Sequence, residues 1–290
     1  KKWSLELLDE ATKHKKNVVI DQTSADYDAL KTTVQNLKEK GYEQTRAEWL
    51  LLDTFNWSRT DYLIHMNDEM SVADKAKLGL NLQRMLSGEP IQYIVGFQSF
   101  YGYRFTVSDR CLIPRPETEE VMLHFLNLCN DGDAIADIGT GSGVLGITLK
   151  KLKPTLSVIA TDLYEDALEV ARLNAEQHGE NIDFIQGNAL KPLIERNIKI
   201  NGLISNPPYI DVKEVKDMAK TVVDYEPHQA LFAKSQGYAI YQSILNDLPK
   251  VLLPGAHVVF EIGYNQGQTL KEIVNDMYPD KAVAIYKDIN

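Results

Sequence analysis

Cysteine is nearly absent from this chain. Two residues, Cys111 and Cys129, stand in 290. That is too few for a disulfide framework or a thiolate zinc site, and it fits a reducing cytosol. The six histidines are scattered, with no ligand-like pairing, so no metal is expected. No apolar run is long enough to span a bilayer and no signal peptide is recognisable, so a cytoplasmic protein is expected. Basic charge is in deficit: 31 Lys and Arg stand against 41 Asp and Glu, a formal net charge of -10. A non-specific grip on nucleic acid needs a basic face, so this balance argues against direct nucleic-acid binding. It leaves room for a local basic patch and suits a basic partner. With 44% hydrophobic and 25% charged residues the chain has ample core for one large or two modest domains. It opens on Lys1, so its natural start is expected upstream.

The first 88 residues read as a helical domain. Leu5, Leu7, Leu8 and Ala11 share one helical face. Tyr27, Leu30, Val34 and Leu37 share another, ended by Gly41 after Lys40. Ala47, Leu50, Leu51 and Phe55 form a third. Ser71 precedes a helix running to Leu86, stopped by Ser87-Gly88. Residues 13–24 read as a loop. No catalytic cluster appears here, as expected of a recognition domain.

Pro90 changes the style. Ile91 to Val95 and Phe100 to Val107 are rich in β-branched and aromatic residues, with Gly96 and Gly102 as breakers. This spacing predicts a β-hairpin linker over 89–115. In Leu112 to Glu120, Pro116 suits a helix start, and the dipole there favours Glu117, Glu119 and Glu120. A helix cap explains the acids but not why Arg115 is held between two prolines.

From Asp133 strand and helix alternate, the mark of a parallel sheet with helices on both faces. Ala134 to Ile138 is the first strand, and it runs into Gly139-Thr140-Gly141-Ser142-Gly143 and an apolar helix from Val144 to Leu152. Such glycines let a backbone approach a ligand and expose N–H groups at a helix start. The spacing is Gly-x-Gly-x-Gly, not the dinucleotide fingerprint. The strand Ser157 to Ala160 ends at Thr161-Asp162, an acid placed for ribose hydroxyls. The strand Ile182 to Gln186 ends at Gly187-Asn188-Ala189, where an adenine could be read. Any one of these is as readily a helix cap; three strand ends converging on one crevice are a stronger pattern.

A fourth apolar run, Gly202-Leu203-Ile204, leads into Ser205-Asn206-Pro207-Pro208-Tyr209. The prolines have no N–H for the ladder, so the strand stops and the chain turns at its carboxyl end, where open α/β sheets bind ligands. Asn206 offers a carboxamide oxygen, Pro207 a carbonyl on a locked backbone, and Tyr209 a flat ring. Two acceptors and a ring suit a planar group bearing an NH2, either an amide or a nucleobase amine. The plain alternative is a proline turn after a strand.

These segments resemble the class I S-adenosylmethionine-dependent methyltransferases. More closely, the chain resembles the HemK/PrmC family of protein-(glutamine-N5) methyltransferases, which modify peptide chain release factors. The resemblance rests on Gly88 to Tyr93, Leu112 to Glu120, Asp137 to Gly143, Asn206 to Tyr209, Tyr225-Glu226-Pro227 with Ala230-Leu231, and Phe260 to Tyr264. It implies a Rossmann-like sheet with helices on both faces over 116–290, after the small helical domain and the hairpin linker. It implies that Gly139, Thr140, Gly141, Ser142 and Gly143 line the methionine end of S-adenosylmethionine, with S-adenosylhomocysteine as product. Asp162 would bind the ribose, and Asn188 and Ala189 would flank the adenine. Asn206, Pro207, Pro208 and Tyr209 would bind the substrate glutamine beside the cofactor, with Asn206, Pro207 and Tyr209 closest to the chemistry. The implied partner is a class 1 release factor, met by a monomer. Two departures stand out: the family usually has Asp where Asn188 stands, and it continues past Asp288 into a last antiparallel strand that is expected to be missing here.

The chemistry expected of that resemblance is positioning. An amide nitrogen is a poor nucleophile, so the protein's task is to fix it and stabilise charge developing on it. Glu117 and Glu119 lie near in the motif, and neither is read as a base. Two rivals remain: an adenine-N6 methyltransferase on DNA or RNA, which wants a basic groove, and a non-catalytic S-adenosylmethionine-binding interaction protein, which would not need Asn206.

Overall fold

The computed structural model describes residues 44–65 and 68–287. The faces expected around Leu5 to Ala11 and Tyr27 to Leu37, and the loop at 13–24, lie outside the described residues. The chain divides into two compact units between Gly96 and Phe97.

The first unit holds α1 (Gln44–Phe55), α2 (Arg59–His65), α3 (Val72–Leu86) and α4 (Ile91–Val95). Ser71 caps α3, its hydroxyl accepting from the Asp74 N–H at 3.1 Å. Leu50, Leu82, Met85, Ile91 and Ile94 form its buried core. Here α4 corrects the expectation of a strand. Its β-branched residues favour a strand, but Ile91 and Ile94 stand three apart on one helical face, and that face is buried. Arg84 supports the short helix from α3, gripping Glu89 with two bonds of 2.7 and 2.5 Å and reaching the carbonyls of Tyr93 and Ile94. Gly96 ends it in the left-handed region.

The second unit opens with the hairpin, shifted from its expected place. It pairs β1 (Phe97–Phe100) with β2 (Tyr103–Thr106) about Tyr101-Gly102, whose φ angles of 48° and 75° fit a two-residue hairpin turn. Then come α5 (Glu117–Leu128), β3 (Ala134–Ile138), α6 (Val144–Leu152), β4 (Ser157–Asp162), α7 (Glu165–His178), β5 (Asp183–Gln186), α8 (Lys191–Glu195) and β6 (Ile200–Ser205). Next are α9 (Lys220–Tyr225), α10 (His228–Leu231), α11 (Ala239–Asp247), β7 (Leu252–Phe260) and α12 (Gly267–Met277). The five strands β3 to β7 are parallel, in the order β5-β4-β3-β6-β7.

Alternation along each strand makes two cores. Ile135, Val158, Ala160 and Ile204 face Met122 and Phe125 of α5 and the inner side of α6. Ala136, Ile138, Ile159 and Leu203 face Tyr241, Ile244 and Leu245 of α11. Phe125 lies so close over Gly202 that a Cβ there would stand 2.8 Å from its ring, so α5 is seated on bare β6 backbone. Among the described residues 279–287 carry no strand, and β7 is the edge of the sheet. The order reverses between β3 and β6, so the connections leaving these neighbours diverge and open a crevice at their carboxyl ends.

Candidate active site

Register places the expected site residues along one edge of the sheet. Ile138 pairs with both Thr161 and Ser205, Asp162 with Gln186, and Ser205 with Phe260. The glycine turn, Asp162, Asn188, Asn206 and Glu261 therefore lie at or just beyond the ends of five adjacent strands.

The glycine turn differs from expectation in its donors. Gly139 and Thr140 N–H both donate to the Thr161 carbonyl, Gly143 N–H to the Thr140 carbonyl, and Gly141 N–H to Asp162 Oδ2 at 2.9 Å. Three of these N–H groups are spent on β4 and one within the turn, so the turn offers bare backbone surface in their place. Gly139 and Gly141 have φ of 72° and 56°, and a Cβ on either would meet nothing within 4 Å. Gly143 is different: a Cβ there would stand 3.1 Å from Ala171, so helix packing excludes a side chain. Ser142 is buried, and its carbonyl accepts from Asn174 Nδ2, which also holds the Thr106 carbonyl of the hairpin. Beneath the turn Asp137 is fully buried. Its Oδ2 accepts from Thr140 Oγ1 at 2.6 Å and Gly146 N–H at 3.0 Å, while Oδ1 has no partner. Burial raises its pKa to about 6 against those two bonds, with nearby Asp162 adding to the rise.

Asp162 is also buried and raised for the same reason, with N–H groups of Tyr164, Gly141 and Leu163 opposing. Beside it Leu163 and Tyr164 are large and exposed, two apolar side chains that sequence reading missed. Asn188 is exposed, and Ala189 sits at φ 49° with its carbonyl taking the Thr161 hydroxyl. An open glycine floor, an orphaned buried carboxylate oxygen, an acid at the next strand end and exposed apolar side chains beside it fit a ligand with a positive end, hydroxyls and a flat ring.

The turn after β6 is gripped from three sides. Asn206 Nδ2 donates to Thr118 Oγ1 of α5 at 3.3 Å, and Thr118 donates to Glu261 Oε2 at 2.6 Å. The Tyr209 carbonyl accepts from Gln266 Nε2 at 2.9 Å, and its ring lies against Gly263 and the core under α11. Burial raises the Tyr209 hydroxyl pKa. Gly237, at φ 87°, passes so close that a Cβ would run into the Tyr209 carbonyl and the Gln266 amide. Among the described residues no hydrogen bond takes up Asn206 Oδ1 or the Pro207 carbonyl. Pro207 is buried and Pro208 half-buried.

Arg115 finds its explanation in Glu226. The guanidinium donates to Glu226 Oε1 at 2.6 Å, and the Ile113 N–H reaches Oε2 at 3.3 Å. The carboxylate is buried, so the proline-flanked loop is tied to the segment between α9 and α10. Thr118, Glu226, Glu261 and Gln266 were not singled out for these roles. Their partners lie 57 to 143 residues away, and no local spacing marks them.

Comparison with known proteins bears on this arrangement. A PrmC N-terminal domain model matches residues 28–96 and a methyltransferase small domain model matches 118–245. A Zeta toxin model matches 1–45, almost wholly outside the described residues. A release factor glutamine methyltransferase of Staphylococcus aureus is 61% identical over 90% of this chain and 94% of its own length. The chain belongs to the release factor glutamine methyltransferase family. Family members from Enterococcus faecalis and Bacillus subtilis are 38% and 37% identical, each over 91% of this chain and 95% and 94% of their own. A solved Pyrococcus furiosus methyltransferase is similar at TM-score 0.46 and 18% identity, over 71% of this chain and 86% of that one.

Proposed function

We infer that the protein methylates the side-chain amide nitrogen of a glutamine in a peptide chain release factor, using S-adenosylmethionine. The observation that carries this reading is the turn after β6, in a chain of this family. Asn206 is held through its NH2, leaving Oδ1 and the Pro207 carbonyl as two untaken acceptors at a ligand-binding edge.

In this reading the glutamine NH2 donates one hydrogen to Asn206 Oδ1 and the other to the Pro207 carbonyl. Both acceptors favour positive charge developing on the nitrogen. The locked proline backbone keeps the acceptors in place as the reaction proceeds, so they need no reorganisation. Tyr209 packs beside the amide, and Pro208 closes the turn. When bound, S-adenosylmethionine supplies a methyl group on a sulfonium sulfur. The residues that would hold it are Gly139, Thr140, Gly141, Ser142 and Gly143 at one end, Asp162 at the ribose, and Asn188 and Ala189 at the adenine.

The finer parts of the reading are a helical recognition domain over 1–88, a linker over 89–115 and a catalytic domain over 116–290, working as a cytoplasmic monomer without nucleic acid. The net charge of -10 supports the last point. Transfer of labelled methyl from S-adenosylmethionine, with a release factor and with DNA or RNA as acceptors, tests it. Label in a glutamine of the release factor alone is the expected result; label in nucleic acid alone would refute it.

A further inference from the structure

We propose that Glu261 is a positioning residue which, acting through Thr118, sets the direction of a buried hydrogen-bond chain and so decides which end of the Asn206 amide faces the substrate. The inference rests on the glutamine-amide reading above and deepens it.

An asparagine amide is nearly symmetric in shape and opposite in character at its two ends. With Oδ1 outward, Asn206 accepts from a glutamine NH2. With Nδ2 outward, two NH2 groups would oppose each other. Something must choose. Thr118 alone cannot, because a hydroxyl both donates and accepts. Glu261 can, because a carboxylate only accepts. Its Oε2 takes the Thr118 hydrogen at 2.6 Å, which leaves Thr118 Oγ1 as an acceptor for Asn206 Nδ2 at 3.3 Å. The Asn206 NH2 is thereby turned inward and Oδ1 outward.

The backbone around Glu261 is fixed at the point this needs. Its N–H donates to the Ser205 carbonyl at 3.0 Å, and its carbonyl accepts from the Tyr241 hydroxyl at 2.7 Å. Thr118 and Glu261 are buried, and no bond of the second carboxylate partner of α5, Glu119, enters the chain, since that side chain holds the Tyr101 N–H. The charged and titratable groups facing Glu261 are Glu117 from the first turn of α5, Arg115 from the loop before it, Tyr209 from the turn after β6, and Tyr241 from α11. Burial raises the Glu261 pKa above the ordinary carboxylate value, Thr118 and Asn206 lower it, Glu117 raises it and Arg115 lowers it. Once protonated, Glu261 can donate as well as accept, and the chain loses its direction.

The test is single-turnover methyl transfer to an intact release factor at saturating S-adenosylmethionine, from alkaline to mildly acid pH. The variants are Glu261→Gln, Thr118→Val, Thr118→Ser and Asn206→Ala, each with its melting temperature and S-adenosylhomocysteine affinity. Glutamine keeps the shape of Glu261 and loses the acceptor-only character. Glu261→Gln and Thr118→Val are expected to slow transfer by about 10- to 100-fold, the range for removing the partner that orients a ligating side chain. Thr118→Ser keeps the hydroxyl and should stay within about threefold of wild type, and product affinity should move no more than that. The wild type to Glu261→Gln ratio should shrink towards acid pH, because protonated Glu261 resembles glutamine. Asp137 titrates in both proteins, so the ratio cancels it. If Glu261→Gln fails to fold, the Thr118→Val and Thr118→Ser pair decides. Full rates in Glu261→Gln and Thr118→Val beside an inactive Asn206→Ala would overturn this inference and leave the glutamine-amide reading standing. Full activity in Asn206→Ala would overturn both.

Discussion

Two buried carboxyl groups sit at adjacent strand ends, and each makes a separate prediction. Asp162 spends Oδ2 on the Gly141 N–H and Oδ1 on the Tyr164 N–H. It therefore both shapes the glycine turn and keeps lone pairs for hydroxyls. Asp162→Ala should weaken S-adenosylhomocysteine binding by about 1–3 kcal/mol, the scale for losing hydrogen bonds to a charged group; calorimetry measures it, and unchanged affinity would remove the ribose assignment. Asp137 speaks to stability. Its folded pKa of about 6 lies above the ordinary 3.8. The folded state therefore holds the proton more tightly, so stability is lost as pH rises from about 4 through about 6. The loss is roughly 3 kcal/mol above that range, taking about 1.4 kcal/mol per pKa unit. Asp137→Asn cannot ionise and should lack that slope. Thermal unfolding of the ligand-free proteins should show the variant gaining on wild type between pH 4 and 7; parallel curves would contradict the buried-charge account.

At the scale of elements, the turn after β6 is held by a glycine that has no substitute. Gly237 and Gly255 share a left-handed φ, 87° and 81°, but only Gly237 has neighbours where a Cβ would go. Gly255→Ala should lose only about 1–2 kcal/mol, the strain of that conformation. Gly237→Ala should lose more, and should also lower methyl transfer by displacing the Tyr209 carbonyl from Gln266. Chemical denaturation and initial rates separate the two effects, and equal losses in both variants would dismiss the contact. The same comparison of local and distant causes explains what could be read in advance. The strands and glycine turn from Ala134 onward, the helix capped by Ser71 and the proline turn at Asn206 are each written in a few consecutive residues. The segment Ile91 to Val95 was misread because its residues prefer a strand, and only burial of Ile91 and Ile94 makes it a helix. The N–H groups of Gly139, Thr140 and Gly141 are not the free donors expected of the glycine turn, because their acceptors, Thr161 and Asp162, lie on the next strand. The ties of Arg115 to Glu226 and of Thr118 to Glu261 join segments more than a hundred residues apart. Nothing local encodes such a pairing.

For the whole molecule, the division of labour is the remaining question. Leu63, Ile64 and Leu80 of the helical unit are exposed, each with well over half of its surface open to solvent. We expect the adjacent exposed side chains of Leu63 and Ile64 to help bind the body of the release factor. Replacing Leu63 and Ile64 by Ser should raise KM for an intact release factor by about tenfold, or roughly 1.4 kcal/mol for two lost apolar contacts. It should leave a short glutamine peptide unaffected, and equal effects on both substrates would assign the surface another role. The central claim, that the molecule exists to hold a glutamine amide on Asn206, has a more direct test. Asn206→Ala removes the acceptor and leaves the glycine turn and Asp162 in place. Single-turnover transfer to the release factor at saturating S-adenosylmethionine should fall by at least about a hundredfold, the scale for losing one preorganised polar group. A rate within about threefold of wild type, roughly 0.7 kcal/mol, would mean that the turn is scaffolding and that the chemistry is held elsewhere.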